Sequence, residues 1–350
     1  MPVEYRPSYE VVGEDEAATT QELLEILHSI STTVSQDEGH AFRSLHAKAH
    51  GIVRGTLEVL ALPPVLAQGL FAQPARYPVV MRLSTTPGDL LADAVSTPRG
   101  LAFKVMEVTG PRVEEGDALR EQDFVMVNGP VFSASSARKL AGMLKMLATT
   151  TDKAPQAKKL LSAALRSMEA IVEKAGGESA ALKTLGGHAP THPLAETYFT
   201  QVPVLYGPYM AKFALVPVSA ALADLHQDRL DVKAHPDALR QAIAQFFEKH
   251  SATWELRVQL CVDLERMPIE DASVPWSETL SPYVPVARIK AAPQTTWDAV
   301  HSPLQDNALA FDPWHALAAH RPIGSIMRVR RAAYAMSASY RQRFNASRSV

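Results

Sequence analysis

Four β-prone runs follow one another with no helical segment between them, at residues 52–60, 77–85, 101–108 and 124–127. Each is rich in β-branched or aromatic residues and is bounded by glycine, proline or polar clusters. Parallel strands need a long crossover, usually a helix, whereas antiparallel strands do not. This succession therefore predicts an antiparallel sheet in an α+β chain and argues against a doubly wound one. Helices take over at residues 134–176. Ser135 and Ser136 read as a cap, and Leu140, Met143, Leu144 and Leu147 form one apolar stripe. A second helix is expected at 156–174. Strands resume at 210–216 and 253–264, with a helix over 236–250 between them. Residues 20–30 and 324–344 have helical spacing as well, and 1–17 read as an extended arm. The proline-rich stretches 186–193 and 268–293 read as surface wrapping.

Composition narrows the function classes. The chain has 350 residues, 47% of them hydrophobic and 21% charged, enough for a large core. Its net charge of -2, with no basic block, argues against a nucleic-acid partner. The single Cys261 excludes an internal disulfide and a thiolate zinc cluster. It lies in the apolar run 258–262 and reads as a packing residue. There is no basic-then-apolar leader and no 18-residue apolar run, so a cytoplasmic protein without a membrane span is expected.

Two stretches carry chemistry. In Phe42-Arg43-Ser44-Leu45-His46-Ala47-Lys48-Ala49-His50-Gly51 a histidine follows an arginine by three residues, just before a strand. Histidine takes and returns protons near neutral pH. Taken alone, the stretch is also an ordinary loop with two histidines. A zinc-protease reading of His46 and His50 fails because Ala47 stands where that motif has glutamate, and His50 reads as a surface residue. On the terminal helix, Arg330, Tyr334, Ser337 and Arg341 are spaced four, three and four apart and share one face. Arginines there would favour the phenolate of Tyr334, although arginines on a terminal helix are equally ordinary as a solvated face.

Together the two stretches resemble the haem site of the monofunctional haem catalases. Arg43, His46, Ala47 and Lys48 resemble that family's R-x-x-H-A-K segment with its distal histidine. Arg330 and Tyr334 resemble its R-x-x-x-Y, whose tyrosine ligates iron, as haem catalases do generally. Arg341 stands where the family has a further arginine. Met81-Arg82-Leu83-Ser84-Thr85 is similar to the segment whose arginine meets a haem propionate and whose serine orients the histidine. Pro98-Arg99-Gly100 to Lys104, Trp254 with Gln259, Pro282 to Ile289, and Ala310-Phe311-Asp312-Pro313 match further family segments in order, so the resemblance spans residues 40–341. The departures lie around Asn128. Met126-Val127-Asn128-Gly129-Pro130 keeps one asparagine of the family's G-N-N-T-P, and Phe132 resembles a phenylalanine near the haem. Leu45 precedes His46 where allene oxide synthases have threonine, which leaves the imidazole free of a competing hydroxyl.

The resemblance implies a catalase-like antiparallel β-barrel with inserted helices. Residues 1–39 would form an arm and helix, 40–267 the barrel with its insertion at 134–176, and 268–350 a wrapping segment and the proximal helix. It implies haem b, ligated by Tyr334 and contacted by Arg43, Arg82, Ser84, Phe132, Arg330 and Arg341, with His46 and Asn128 as catalytic residues. It also implies hydrogen peroxide or an organic hydroperoxide as substrate, with a small organic donor as reductant and some catalase activity. A hydroperoxide-rearranging enzyme and a non-catalytic haem carrier are the alternatives, and a homo-oligomer is left open. The short arm and the end soon after Arg341 resemble a minimal member of the family, with a shorter substrate channel.

Overall fold

The computed structural model describes residues 1–86, 88–114, 118–150 and 189–347. Among these residues there are nine strands: β1 (Lys48–Val59), β2 (Arg76–Thr85), β3 (Arg99–Met106), β4 (Glu121–Val127), β5 (Tyr198–Phe199), β6 (Val204–Tyr206), β7 (Tyr209–Pro217), β8 (Ala252–Leu260) and β9 (Val284–Ala291). All pair antiparallel. β1 to β4 pair in succession, β4 reaches β5, β5 reaches β7, and β7, β8 and β9 lead back to β1. Eight strands thus close into a barrel, with β6 appended to β7. Closure removes the free sheet edges that an open sheet would expose.

Six helices are described: α1 (Glu16–Glu38), α2 (Ala137–Thr150), α3 (Ala220–Asp224), α4 (Ala238–Phe247), α5 (His301–Ala308) and α6 (Ser325–Ala346). The first four strands, the resumed strands and the terminal helix fall where the sequence pattern places them. The helix expected at 156–174, and with it most of the 134–176 insertion, lies outside the described residues.

One stretch read as wrapping contains a strand. β9 lies inside 268–293 and pairs with both β1 and β8, so it completes the barrel. Its prolines hide it in the sequence. Pro285 faces a register shift between Leu256 and Arg257, a bulge that tolerates a residue without an N–H. Gln259 on β8 ties the rest of that stretch down by donating to the carbonyls of Trp276 (3.0 Å) and Ser281 (2.8 Å).

The pleat gives β1, β2 and β3 two different faces. Inward, Val53, Leu57, Val79, Met81, Leu83, Leu101, Phe103 and Val105 join a continuous apolar core with Phe124, Phe213 and Leu256. Phe103 stacks on Phe124 at 4.6 Å, and Phe124 meets Phe213 edge-on at 5.1 Å. The alternate residues Arg82, Ser84 and Lys104 are buried too, but outside that core. A second apolar cluster, drawn from α1, α2 and α6, covers this side of the molecule. Cys261 is buried as a packing residue, and burial pushes its thiol up to about 11. Among the described residues no helix is long and apolar enough to cross a membrane.

Candidate functional site

His46 lies in the loop leading into β1 with its backbone at φ 57°, a left-handed conformation uncommon outside glycine. Its ring rests on the outer face of the barrel. The Ser84 hydroxyl is 3.3 Å from Nδ1, and the Thr86 hydroxyl is 3.2 Å from Nε2 and 3.5 Å from Nδ1. Gly100, paired with Ser84 across β2 and β3, makes room for it. A Cβ at Gly100 would stand 2.5 Å from His46 Nδ1 and 2.9 Å from the Ser84 hydroxyl. Burial, together with Arg82, Arg330 and Arg43, pushes the imidazole down to about 3. The ring is therefore a neutral base throughout the physiological range.

The expectation of an imidazole clear of hydroxyls fails. Leu45 supplies none, but strand alternation puts Thr86 on the same face as Ser84, and its hydroxyl reaches the ring. That Ser84-x-Thr86 spacing was visible in the sequence as a second hydroxyl at the strand end.

On α6, Arg330 donates to the Tyr334 hydroxyl at 2.5 Å. The guanidinium also stands 5.6 Å from the Phe132 ring centroid. Burial raises the Tyr334 phenol above its ordinary value; Arg330 works against that rise and Asp312 adds to it. The neighbouring cations therefore do not by themselves ionise this tyrosine, because desolvation outweighs them. A cation at its oxygen would be needed to do so. The same helix is pinned to the histidine loop, where the Ser44 hydroxyl and N–H donate to the Ser337 hydroxyl at 3.0 and 3.3 Å.

Arg341 shares the helix but not the phenol. It donates to the Leu309 carbonyl at 3.0 Å and belongs to a second group centred on Asp306. Arg82 grips Asp306 through Nε (2.6 Å) and Nη2 (3.2 Å), and Arg43 donates to the same carboxylate at 2.9 Å. Burial would raise the Asp306 carboxyl, but Arg82 and Arg43 overcome it and hold the group at about 2. Two guanidiniums thus grip one carboxylate, Arg341 stands close enough to feel its charge, and Arg341 Nε is buried without a hydrogen-bond partner. Uncompensated buried charge is costly, so this cluster fits a ligand that brings further carboxylates.

Asn128 is placed differently from His46. Its Oδ1 accepts from the Arg99 N–H at 2.9 Å and its Nδ2 donates to Glu196 at 2.7 Å. Arg99 also donates to Glu196 and to the Thr191 carbonyl at 2.8 Å. The asparagine is thereby tied to the start of β3 and to the segment just before β5. His50 is a correction: it is 1% exposed, with Nε2 3.0 Å from the Thr85 hydroxyl. It occupies the position on β1 that the barrel and α4 cover, so a surface reading does not hold. Asp306, Thr86, Glu196 and Gly100 were not singled out from sequence. Of these only Thr86 and Gly100 carried a signal there, Thr86 through its spacing from Ser84 and Gly100 through the family segment that contains it.

The fold is shared with known structures. Catalase A from Saccharomyces cerevisiae superposes with a TM-score of 0.60 at 16% identity, over 89% of this chain and 63% of that one. A fungal catalase gives 0.60 at 15% identity over 89% and 61%. A bacterial catalase gives 0.56 at 17% identity over 97% and 63%. This chain therefore spans less than two thirds of the length of each. No family model matches the sequence, and no curated protein does. At these identities the likeness is one of fold: the barrel with its helices is a catalase-like barrel.

Proposed function

We propose that this chain is a haem-dependent enzyme of peroxide metabolism, a catalase-related peroxidase. One observation carries the reading. The base and the candidate iron ligand share one half-buried, desolvated environment, with Arg330 bonded to Tyr334 and its charge felt by His46 as well. A carrier has no use for a neutral base held in a strained backbone conformation at that place.

Haem b, with Tyr334 on its iron and its propionates toward Arg43, Arg82 and Arg341, would supply a redox centre that takes oxidising equivalents from a peroxide. The residues of the chain do the rest. His46, neutral and oriented by Ser84, accepts the proton of hydrogen peroxide or an organic hydroperoxide and returns it to the departing oxygen. Arg330 stabilises the tyrosinate once a cation holds it, and Phe132 shields the Arg330 side from water. Asn128 is the proposed second distal group, and its commitments to Arg99 and Glu196 make its contribution the smaller one. Reduction of one peroxide draws electrons from a small organic donor or from a second peroxide.

The Thr86 hydroxyl favours a second reading. A hydroxyl donating to Nε2 competes for the lone pair that must accept the proton. Such a site would suit rearrangement of an organic hydroperoxide, as in the allene oxide synthases. An absorption spectrum of the purified protein, followed through addition of hydrogen peroxide and of a fatty-acid hydroperoxide, separates the two. A haem band whose peroxide response is reversed by a donor supports the peroxidase. Consumption of the hydroperoxide without donor or oxygen release supports rearrangement. Tyr334→Phe is expected to abolish haem retention or shift the Soret band, and an unchanged spectrum would remove Tyr334 as ligand.

A further inference from the structure

The short helix α5 is held almost wholly by polar contacts. Its buried residues are Ser302 and Asp306, while Leu304 on α5 and Val300 just before it are 69% and 68% exposed. An amphipathic helix that packs for stability does the reverse. The end of α5 is instead fastened to arginines. The Asp306 carboxylate takes Arg82 and Arg43, the Asp306 carbonyl takes Arg43 at 2.9 Å, and the Leu309 carbonyl takes Arg43 at 2.8 Å and Arg341 at 3.0 Å. The same three arginines are those assigned above to the propionate end of a haem.

We propose that Asp306 is an internal counter-carboxylate, holding the arginine cluster while no ligand is bound and yielding it to the propionates when haem enters. This rests on the haem reading of the site. The chemistry is an exchange of like for like. A guanidinium fork accepts a side-chain carboxylate or a ligand carboxylate with the same two-point geometry. A haem brings two carboxylates where Asp306 brings one, so three guanidiniums are better matched after the exchange. The helix can give way because little apolar area would be exposed when it does. Asp306 is thus a positioning residue: it keeps the cluster ordered when empty and sets how tightly the loaded ligand is held.

The test compares wild type and Asp306→Asn, loaded with haem as purified. Loss of haem to excess apomyoglobin is followed at the Soret band. Removing the competing carboxylate should slow the loss by about tenfold or more, the order of one charge-assisted pair. With haem dimethyl ester, whose carboxylates are blocked, the two proteins should lose the ligand at the same rate. Faster or equal loss of haem from Asp306→Asn would overturn the proposal, because a fixed strut for Arg43 and Arg82 predicts that result. In case the variant does not fold, wild type alone gives a second readout. Amide hydrogen exchange across 301–308 should be faster in the haem-loaded protein than in protein made under haem starvation. Equal or slower exchange would overturn the proposal. Wild type that takes up no haem at all would end the haem reading itself, an outcome distinct from each of these.

Discussion

The two faces of β2 carry opposite kinds of order. Inward, Val79, Met81 and Leu83 join one continuous apolar core. Outward, Arg82 and Ser84 are as deeply buried, yet each is defined by a named polar partner, Asp306 for one and His46 for the other. Burial on the inner face is rewarded by area, which any side chain of similar volume supplies. On the outer face it is tolerated only because geometry satisfies each polar group. The same strand thus sets the shape with one half of its residues and carries the proposed site on the other half.

The sharpest way to break that contrast is a pair of truncations, one on each face. His46→Ala is expected to lower peroxide turnover by about a hundredfold to ten-thousandfold, the usual worth of a positioned general base. It should leave the melting temperature nearly unchanged. Phe103→Ala, stacked on Phe124 inside the barrel, is expected to cost about 3–5 kcal/mol of stability. Its turnover per folded molecule should stay close to wild type. Calorimetry and a donor-oxidation assay on the same preparations check both. A His46→Ala variant that retains activity would remove the proposed base, and a large stability loss in it would mean the outer face is structural as well.

Acid should act through the desolvated histidines. His192 and His320 are each pushed down to about 4, chiefly by burial, and His46 to about 3. In the unfolded chain these rings take up a proton near pH 6.5, whereas in the folded protein they do not until far lower. Between those values the unfolded state binds more protons, so stability is complete above about pH 6.5 and falls as the pH drops. The loss is of the order of 3 kcal/mol for each of His192 and His320 by pH 4. Thermal melts from pH 7.5 to 4 should show a steady decline. His320→Gln should flatten its share, because Leu70 donates to the ring and an amide oxygen can accept the same bond. A melting temperature independent of pH over this range would contradict neutral burial of these rings.

How much was legible in the sequence follows from the same two faces. Strands β1 to β4 announce themselves as β-branched and aromatic runs bounded by turn residues, and α6 does so through its helical spacing. β9 does not, since Pro282 and Pro285 look like wrapping and only the bulge opposite Pro285 makes a strand compatible with them. Arg82, Ser84, His46, Arg330 and Tyr334 were readable by motif, and the fold brings Ser84 to His46 and Arg330 to Tyr334. The grouping of Arg43, Arg82 and Arg341 around Asp306 was not readable. It depends on where α5 lies, and no local pattern marks an aspartate more than two hundred residues from its partner Arg82. His50 was misread for a related reason: its burial comes from the covering elements, not from its own strand.

The smallest expected effect is the most discriminating, because it lies at the proposed peroxide site on the outer face. Thr86 comes just after β2, and its hydroxyl lies 3.2 Å from His46 Nε2 and 3.5 Å from Nδ1. If that hydroxyl donates to Nε2, it holds the lone pair that must take the peroxide proton. The cost is of the order of one neutral hydrogen bond, about 1 kcal/mol, or roughly fivefold in rate. Thr86→Val keeps the shape of the side chain and removes the hydroxyl. Oxygen release from hydrogen peroxide at an electrode should therefore rise about fivefold, while Ser84→Ala, which frees Nδ1 instead, should lower turnover by loosening the ring. Should Thr86→Val leave oxygen release unchanged or reduce it, the hydroxyl is a second support for the imidazole and not a competitor. The rearrangement reading would then lose the one observation that favours it.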